Sequence, residues 1–284
     1  MAVAISFVTT TSCISINTEG LGYSISDDYD TTTFVSREFV YTGFNAIEYH
    51  GYARITFKQG DSYSIVARST EEMFEKTKVS ISDNKLIIDQ REIRLFKAPI
   101  FLTVTAPDLN NLDLGGNVNF YGGDIKTSNC FDIELSGAGT IDFSTISCNE
   151  FKADVSGATK INGKINAESS TKIECSGASK ADLDIVAPTL YTDCSGAVKL
   201  NLNFTGANAT IENSGASSTY LGFTGDKLNL DCSGASKVEA TVRCKELNAS
   251  GSGASKFEIS GVAEVTHFDT SGATSLNTKN LNNY

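Results

Sequence analysis

The sequence predicts an all-β protein: a single-stranded, right-handed parallel β-helix of about 19 residues per coil, with a β-hairpin excursion near its N-terminal end. Three observations carry this. The tripeptide Ser-Gly-Ala starts at Ser136, Ser156, Ser176, Ser195, Ser214, Ser233, Ser252 and Ser271, in steps of 20, 20, 19, 19, 19, 19 and 19 residues. Apolar and polar residues alternate on both sides of each copy, which is the period of a strand with one buried face. The 284 residues include only 3 Pro and no Trp, and β-branched residues are frequent. A propeller blade needs about 40 residues. A repeat of 19 residues instead fits one solenoid coil, stacked on its neighbours at about 4.8 Å.

Aligned on the tripeptide, the copies form columns. The residue before each Ser is mostly apolar (Leu135, Val155, Cys175, Cys194, Cys232), as is the residue two earlier (Ile133, Ile173, Ile211, Leu230, Phe268). Between these columns stand Glu134, Asp154, Glu174, Asp193, Glu212, Asp231, Ser250 and Asp269, an outward acidic ladder. A second half-buried strand follows, with Ile141, Ile161, Leu200, Val238 and Phe257 inward. Immediately ahead of that inward column, Lys160, Lys180, Lys199, Lys237 and Lys256 form a lysine ladder. Stacked like charges repel, so ion pairs around the corner between the two ladders are expected. The corner is Ser-Gly-Ala, because Gly137, Gly157, Gly177, Gly196, Gly215, Gly234, Gly253 and Gly272 supply the residue type that accepts a positive φ. A third strand or a loop fills the remaining residues and includes Leu190, Leu228 and Leu247. One coil departs from the columns at Asn213, Ser218 and Tyr220.

The N-terminal third extends the pattern. Ile47 to Phe57 matches Ile133 to Phe143 position for position and reads as a first coil; Leu112 to Phe120 reads as a second. Between them, Ser62 to Arg68 reads as a strand, Glu71 to Lys76 as a helical turn, and Lys78 to Gln90 as a hairpin around Asp83-Asn84. Ile100 to Ala106 reads as a strand stopped by Pro107. This excursion is expected to cap the solenoid, whose end otherwise exposes a sticky edge. The resulting division is 1–13 as a truncated lipoprotein-type signal, 14–33 as a polar linker, 34–110 as the first coil with its excursion, and 111–284 as the repeat solenoid.

The signal reading rests on the apolar stretch from Ala2 to Val8, followed by Thr9, Thr10, Thr11, Ser12 and Cys13. Cys13 is the lipid-anchor candidate, although no basic residue precedes the apolar run and Thr stands where the usual motif has Leu. An upstream start would supply the basic part. The other six cysteines, Cys130, Cys148, Cys175, Cys194, Cys232 and Cys244, show no CxxC spacing and no neighbouring His. They read as free, buried, apolar-type residues with no zinc site. No cofactor is expected. The net charge of −11 makes nucleic acid and anionic lipid surfaces poor partners. A membrane is reached only through the lipid anchor.

Phe44-Asn45-Ala46-Ile47-Glu48, Gly51 and Ile55-Thr56-Phe57-Lys58-Gln59-Gly60-Asp61, together with the Ser-Gly-Ala series, resemble the auto-transporter adhesin "head GIN domain" family over about residues 34 to 281. The resemblance implies a right-handed β-helix and an exported envelope protein. It brings no catalytic residues with it. Three functions fit: a non-enzymatic surface protein binding a protein or glycan, a carbohydrate-active β-helix enzyme, or a structural spacer. The eight corner serines are structural. A Ser nucleophile needs a base, the only histidines are His50 and His267, and a catalytic group would break the repeat rather than follow it.

Overall fold

The computed structural model describes residues 31–91, 93 and 97–282. Cys13 and most of the polar linker lie outside these residues; Thr31–Thr33 form a 3-10 turn. The strands are β1 (Val35–Phe39), β2 (Ala46–Gln59), β3 (Ser64–Ser69), β4 (Lys78–Ser82), β5 (Lys85–Asp89), β6 (Ile100–Ala106), β7 (Asn111–Lys126), β8 (Cys130–Gly137), β9 (Thr140–Val155) and β10 (Lys160–Cys175). They continue as β11 (Lys180–Val186), β12 (Thr189–Cys194), β13 (Lys199–Thr205), β14 (Asn208–Asn213), β15 (Ser218–Thr224), β16 (Lys227–Cys232), β17 (Lys237–Gly251), β18 (Lys256–Thr270) and β19 (Ser275–Asn282).

From β7 onward every pairing is parallel and follows the repeat. Cys175 sits on Cys194, Cys194 on Asn213, and Asn213 on Cys232. Each coil therefore contributes two strand runs, one before and one after the Ser-Gly-Ala corner. Leu190 and Leu228 belong to the first run, in β12 and β16. No third strand is needed. In the β9–β10 pair the offset is 20 residues at both ends (Lys160 on Thr140, Ser170 on Glu150) and 19 between them (Lys164 on Thr145), with register shifts between Asn162 and Lys164 and between Ala167 and Ser170.

The corner has a specific chemistry. Gly116, Gly137, Gly157, Gly177, Gly196, Gly215, Gly234, Gly253 and Gly272 all have φ between 68° and 95°. The Ala that follows donates its N–H to the Gly carbonyl one coil back, as in Ala158 N to Gly137 O at 2.8 Å and Ala273 N to Gly253 O at 2.7 Å. The backbone ladder thus runs around the bend without a gap. A Cβ on Gly157 would lie 2.4 Å from that same Gly137 carbonyl oxygen.

Inside, apolar side chains stack on their counterparts. The rings of Phe131 and Phe151 are 6.2 Å apart, and those of Phe204 and Phe223 5.9 Å apart, each pair nearly parallel. Cys148, Cys175, Cys194, Cys232 and Cys244 are buried in this core, and all six described cysteines are free thiols. Burial pushes Cys148 up to about 12 and Cys232 and Cys244 up to about 11. Cys194, which shares a sulfur hydrogen bond with Cys175, is pushed higher still. Asn213 breaks the thiol column but exchanges hydrogen bonds with Thr219 at 3.0 and 3.1 Å, so the buried amide is satisfied.

The excursion folds as its sequence implies. Asp83 and Asn84 take positive φ (51° and 60°) between β4 and β5, the geometry of a two-residue hairpin turn. Helix α1 (Glu71–Glu75) is capped by Thr70 and buries Met73 and Phe74. The strands of the excursion also form a layer of the stack. β2 pairs in parallel with β7 on one side, and with β5 and then β6 on the other. Beyond them, β4 on β5, β3 on β6 and β1 on β3 are antiparallel and end the parallel stack. At the opposite end, β19 pairs with β18 only from Lys256 to Val262. Val265 and Phe268, on the uncovered part, are exposed.

Two outcomes test this account. Gly157→Ala should lose about 2 to 4 kcal/mol in urea unfolding, from left-handed strain plus the carbonyl clash. Gly123→Ala, where a new Cβ meets nothing within 4 Å, should stay within about 0.5 kcal/mol of wild type; equal losses would refute the corner's role. In a Cys13→Ala protein at pH 8, a thiol reagent should titrate Cys130 first and the five buried thiols only on unfolding.

Candidate functional site

With the interior filled, ligand chemistry belongs to the outward columns. The acidic ladder is in register as the sequence implies: Glu134, Asp154, Glu174, Asp193, Glu212, Asp231, Ser250, Asp269. It also continues back through Asp113 to Glu48 in the first coils. The lysine ladder is likewise in register, from Lys160 through Lys180, Lys199, Ser218 and Lys237 to Lys256.

The two ladders do not pair around the corner. Among the described residues, Lys237 and Lys256 bond to Glu239 and Glu258, two residues on along their own strands. Lys199 Nζ sits 5.0 Å from the ring centre of Tyr220. On the acidic side Glu174 is held by Lys172 at 2.7 Å, and Glu212 accepts from Tyr191 Oη at 3.0 Å. Partial burial and then the Glu212 carboxylate push Tyr191 up to about 12. The reason for the correction is geometric. The Ser-Gly-Ala corner and one inward residue on either side of it separate the columns, while an i+2 neighbour on the same strand face is already within reach. The corner serines sit at the edge, and the hydroxyls of Ser214 and Ser271 donate to carbonyls one coil back at 3.2 and 3.4 Å. They build the rod.

Where the repeat departs from its columns, a recess appears. β13, β15, β17, β18 and β19 present an open groove of about 890 Å³ on the lysine side of the coil. Tyr220 stands at one margin with 37% of its surface exposed. Gly222, in the row of Asn203, Thr241 and Ser260, leaves the floor low: a Cβ there would lie 2.7 Å from Asn203 Oδ1. Around this floor stand Asn201, Asn203, Glu239, Arg243, Glu258 and Asn277. Asn203 donates to Asp184 at 2.8 Å, and Thr241 and Ser260 share a hydrogen bond of 3.2 Å. The exposed Arg243 guanidinium makes no hydrogen bond or ion pair among the described residues. The Lys256 hydrogen bond holds the Glu258 carboxyl below the usual carboxylate range.

Tyr220 and Ser218 are visible in the sequence as breaks; the groove is not, because it needs side chains from five coils at once. After five of the eight repeat serines the third residue is a buried hydroxyl (Thr159, Ser179, Ser217, Ser236, Ser255), and Ser179 and Ser236 lie against the thiols of Cys175 and Cys232. A hydroxyl residue three positions after six of the eight serines is the signal the sequence carries.

The fold and these surfaces define a class: a parallel β-solenoid whose outward side chains form ladders at coil spacing, broken locally by a polar groove. The chain belongs to the family described as "Putative auto-transporter adhesin, head GIN domain", whose model matches residues 43–182 and 207–283. Among solved structures, it is similar to one described as a putative adhesin from Parabacteroides merdae (15% identity, TM-score 0.57, covering 86% of this chain and 96% of that one). A structure so described from Bacteroides fragilis is similar at 15% identity and TM-score 0.53, over 87% and 97% of the two chains. One described as a putative lipid binding protein, from Parabacteroides distasonis, gives 14% and 0.55, over 86% and 97%. At these identities the likeness is one of fold. No curated protein matches the chain.

Proposed function

We propose that this protein is an exported, non-enzymatic binding module of the cell envelope, an adhesin that takes a glycan in the Tyr220 groove and is tethered through a lipid on Cys13. The groove carries the reading. An exposed aromatic ring offers an apolar face to a sugar ring. The amides of Asn201, Asn203 and Asn277, the hydroxyls of Thr241 and Ser260 and the free Arg243 head offer donors and acceptors to its hydroxyls. The names of the similar structures from Bacteroides and Parabacteroides fit an adhesin. The apolar ladders of this chain point inward, which favours a polar ligand over a lipid tail.

Hydrolysis is less well supported. A glycosidase needs one carboxyl kept protonated near neutral pH. Here Glu239 and Glu258 are both paired with lysines, and Glu258 is shifted the opposite way. Attachment is assigned to Cys13 on the apolar stretch from Ala2 to Val8 that precedes it.

On a polysaccharide and host-glycan array, wild type should retain a subset of ligands. Tyr220→Ala should weaken retention at least tenfold, and Lys172→Ala, on the acidic side, should not. Retention of nothing by wild type, or equal retention by Tyr220→Ala, rejects the groove as the binding site. For the anchor, metabolic palmitate labelling in cells expressing the chain from an upstream start should mark wild type and not Cys13→Ala. An unlabelled wild type rejects the tether.

A further inference from the structure

We propose that Glu48, His50 and Asp113 form a binding site for a single divalent transition-metal ion of zinc's class, at the excursion end of the acidic ladder. His50 Nε2 lies 3.5 Å from Glu48 Oε1 and 3.6 Å from Asp113 Oδ1. The three candidate ligand atoms all lie within 4.8 Å of one another. These spacings are too long for charge-assisted hydrogen bonds, which run at about 2.7 to 2.9 Å. They match the edge of a tetrahedron around zinc: ligand bonds of about 2.1 Å place neighbouring ligands about 3.4 Å apart. One imidazole and two carboxylates, with a fourth position open to solvent, is a donor set that suits zinc.

The surroundings hold these groups in place. Glu48 and His50 stand on β2, which is hydrogen-bonded on both edges, to β5 and to β7. The His50 carbonyl accepts from Gln90 N at 3.0 Å. Lys85 Nζ, 3.3 Å from Glu48 Oε2, occupies the far oxygen and leaves Oε1 to face the imidazole, an outer contact of the kind that orients metal ligands. Arg91, the other nearby cation, is committed to Asp89 by two side-chain hydrogen bonds of 3.0 and 2.8 Å. Glu134, stacked on Asp113, adds negative charge.

A second, independent observation is a break in the repeat at this place. His50 and Gly115 occupy two successive positions of the column that the corner serines fill from Ser136 onward. A Cβ on Gly115 would lie 2.3 Å from His50 Nδ1. The glycine makes the room that the imidazole occupies. No sequence motif announces the site, because its ligands come from two coils separated by the whole excursion.

The test is calorimetric titration of Zn²⁺ into the full-length chain, kept reduced with a phosphine. One equivalent should bind saturably. His50→Gln and Asp113→Asn should each weaken it at least tenfold, while His267→Gln should leave it unchanged. Gly115→Ser, which restores the column's usual residue and displaces only the mobile end of His50, should keep the fold by circular dichroism and still weaken binding at least tenfold. Co²⁺ should give a visible absorption band that His50→Gln removes. No saturable binding by wild type overturns the proposal. So does unchanged affinity in folded Asp113→Asn and Gly115→Ser, which would put the ion on other acidic residues or on the thiols.

Discussion

The structure depends on one repeated hydrogen bond, from the N–H of each corner Ala to the carbonyl of the corner Gly one coil back. A solenoid bend is the place where a β-ladder ordinarily loses its partners. Here the left-handed glycine turns the chain while keeping its carbonyl pointed along the axis, so the ladder is continuous through the corner. The same contact excludes any side chain, because a Cβ would sit against that carbonyl. Register follows from it. With the corner fixed, each inward residue from β7 onward must lie on its counterpart 19 to 21 positions away.

The inside is therefore strict and the outside permissive. Asn213 in the thiol column requires Thr219 to satisfy it, and the phenylalanines stack ring on ring. Outward positions meet only neighbours on the same face and solvent. Lys237 and Lys256 are served by glutamates of their own strands and Lys199 by an aromatic ring, and a Tyr and a Gly can replace the usual residues without disturbing the coil. Variation with chemical consequence collects at two places, around Tyr220 and around His50.

Much was legible from spacing alone. The corner glycines, the inward columns, the Asp83-Asn84 hairpin and the first coil at Ile47 all appear where their patterns place them. These features are local or strictly periodic. Leu190 and Leu228 sit in the first strand run rather than in a third, because a strand interrupted by a short turn reads in sequence like a separate element. The expected ion pairs around the corner failed for a related reason. Sequence distance measures separation along the chain, whereas charge pairing depends on which face each side chain leaves.

By itself the sequence determined the period, the corner, and which residues face in or out. Those properties follow from local backbone preference and from the need of each coil to bury its apolar face on an identical neighbour. Only the tertiary structure decided that β5 and β6 form a layer beneath β2, that Glu48 and His50 therefore meet Asp113 at the head of the acidic ladder, and that five coils together shape the groove at Tyr220. These arrangements join residues that no fixed spacing relates. They arise because the aperiodic excursion and the outward side chains pack in three dimensions, where the repeat constrains only one.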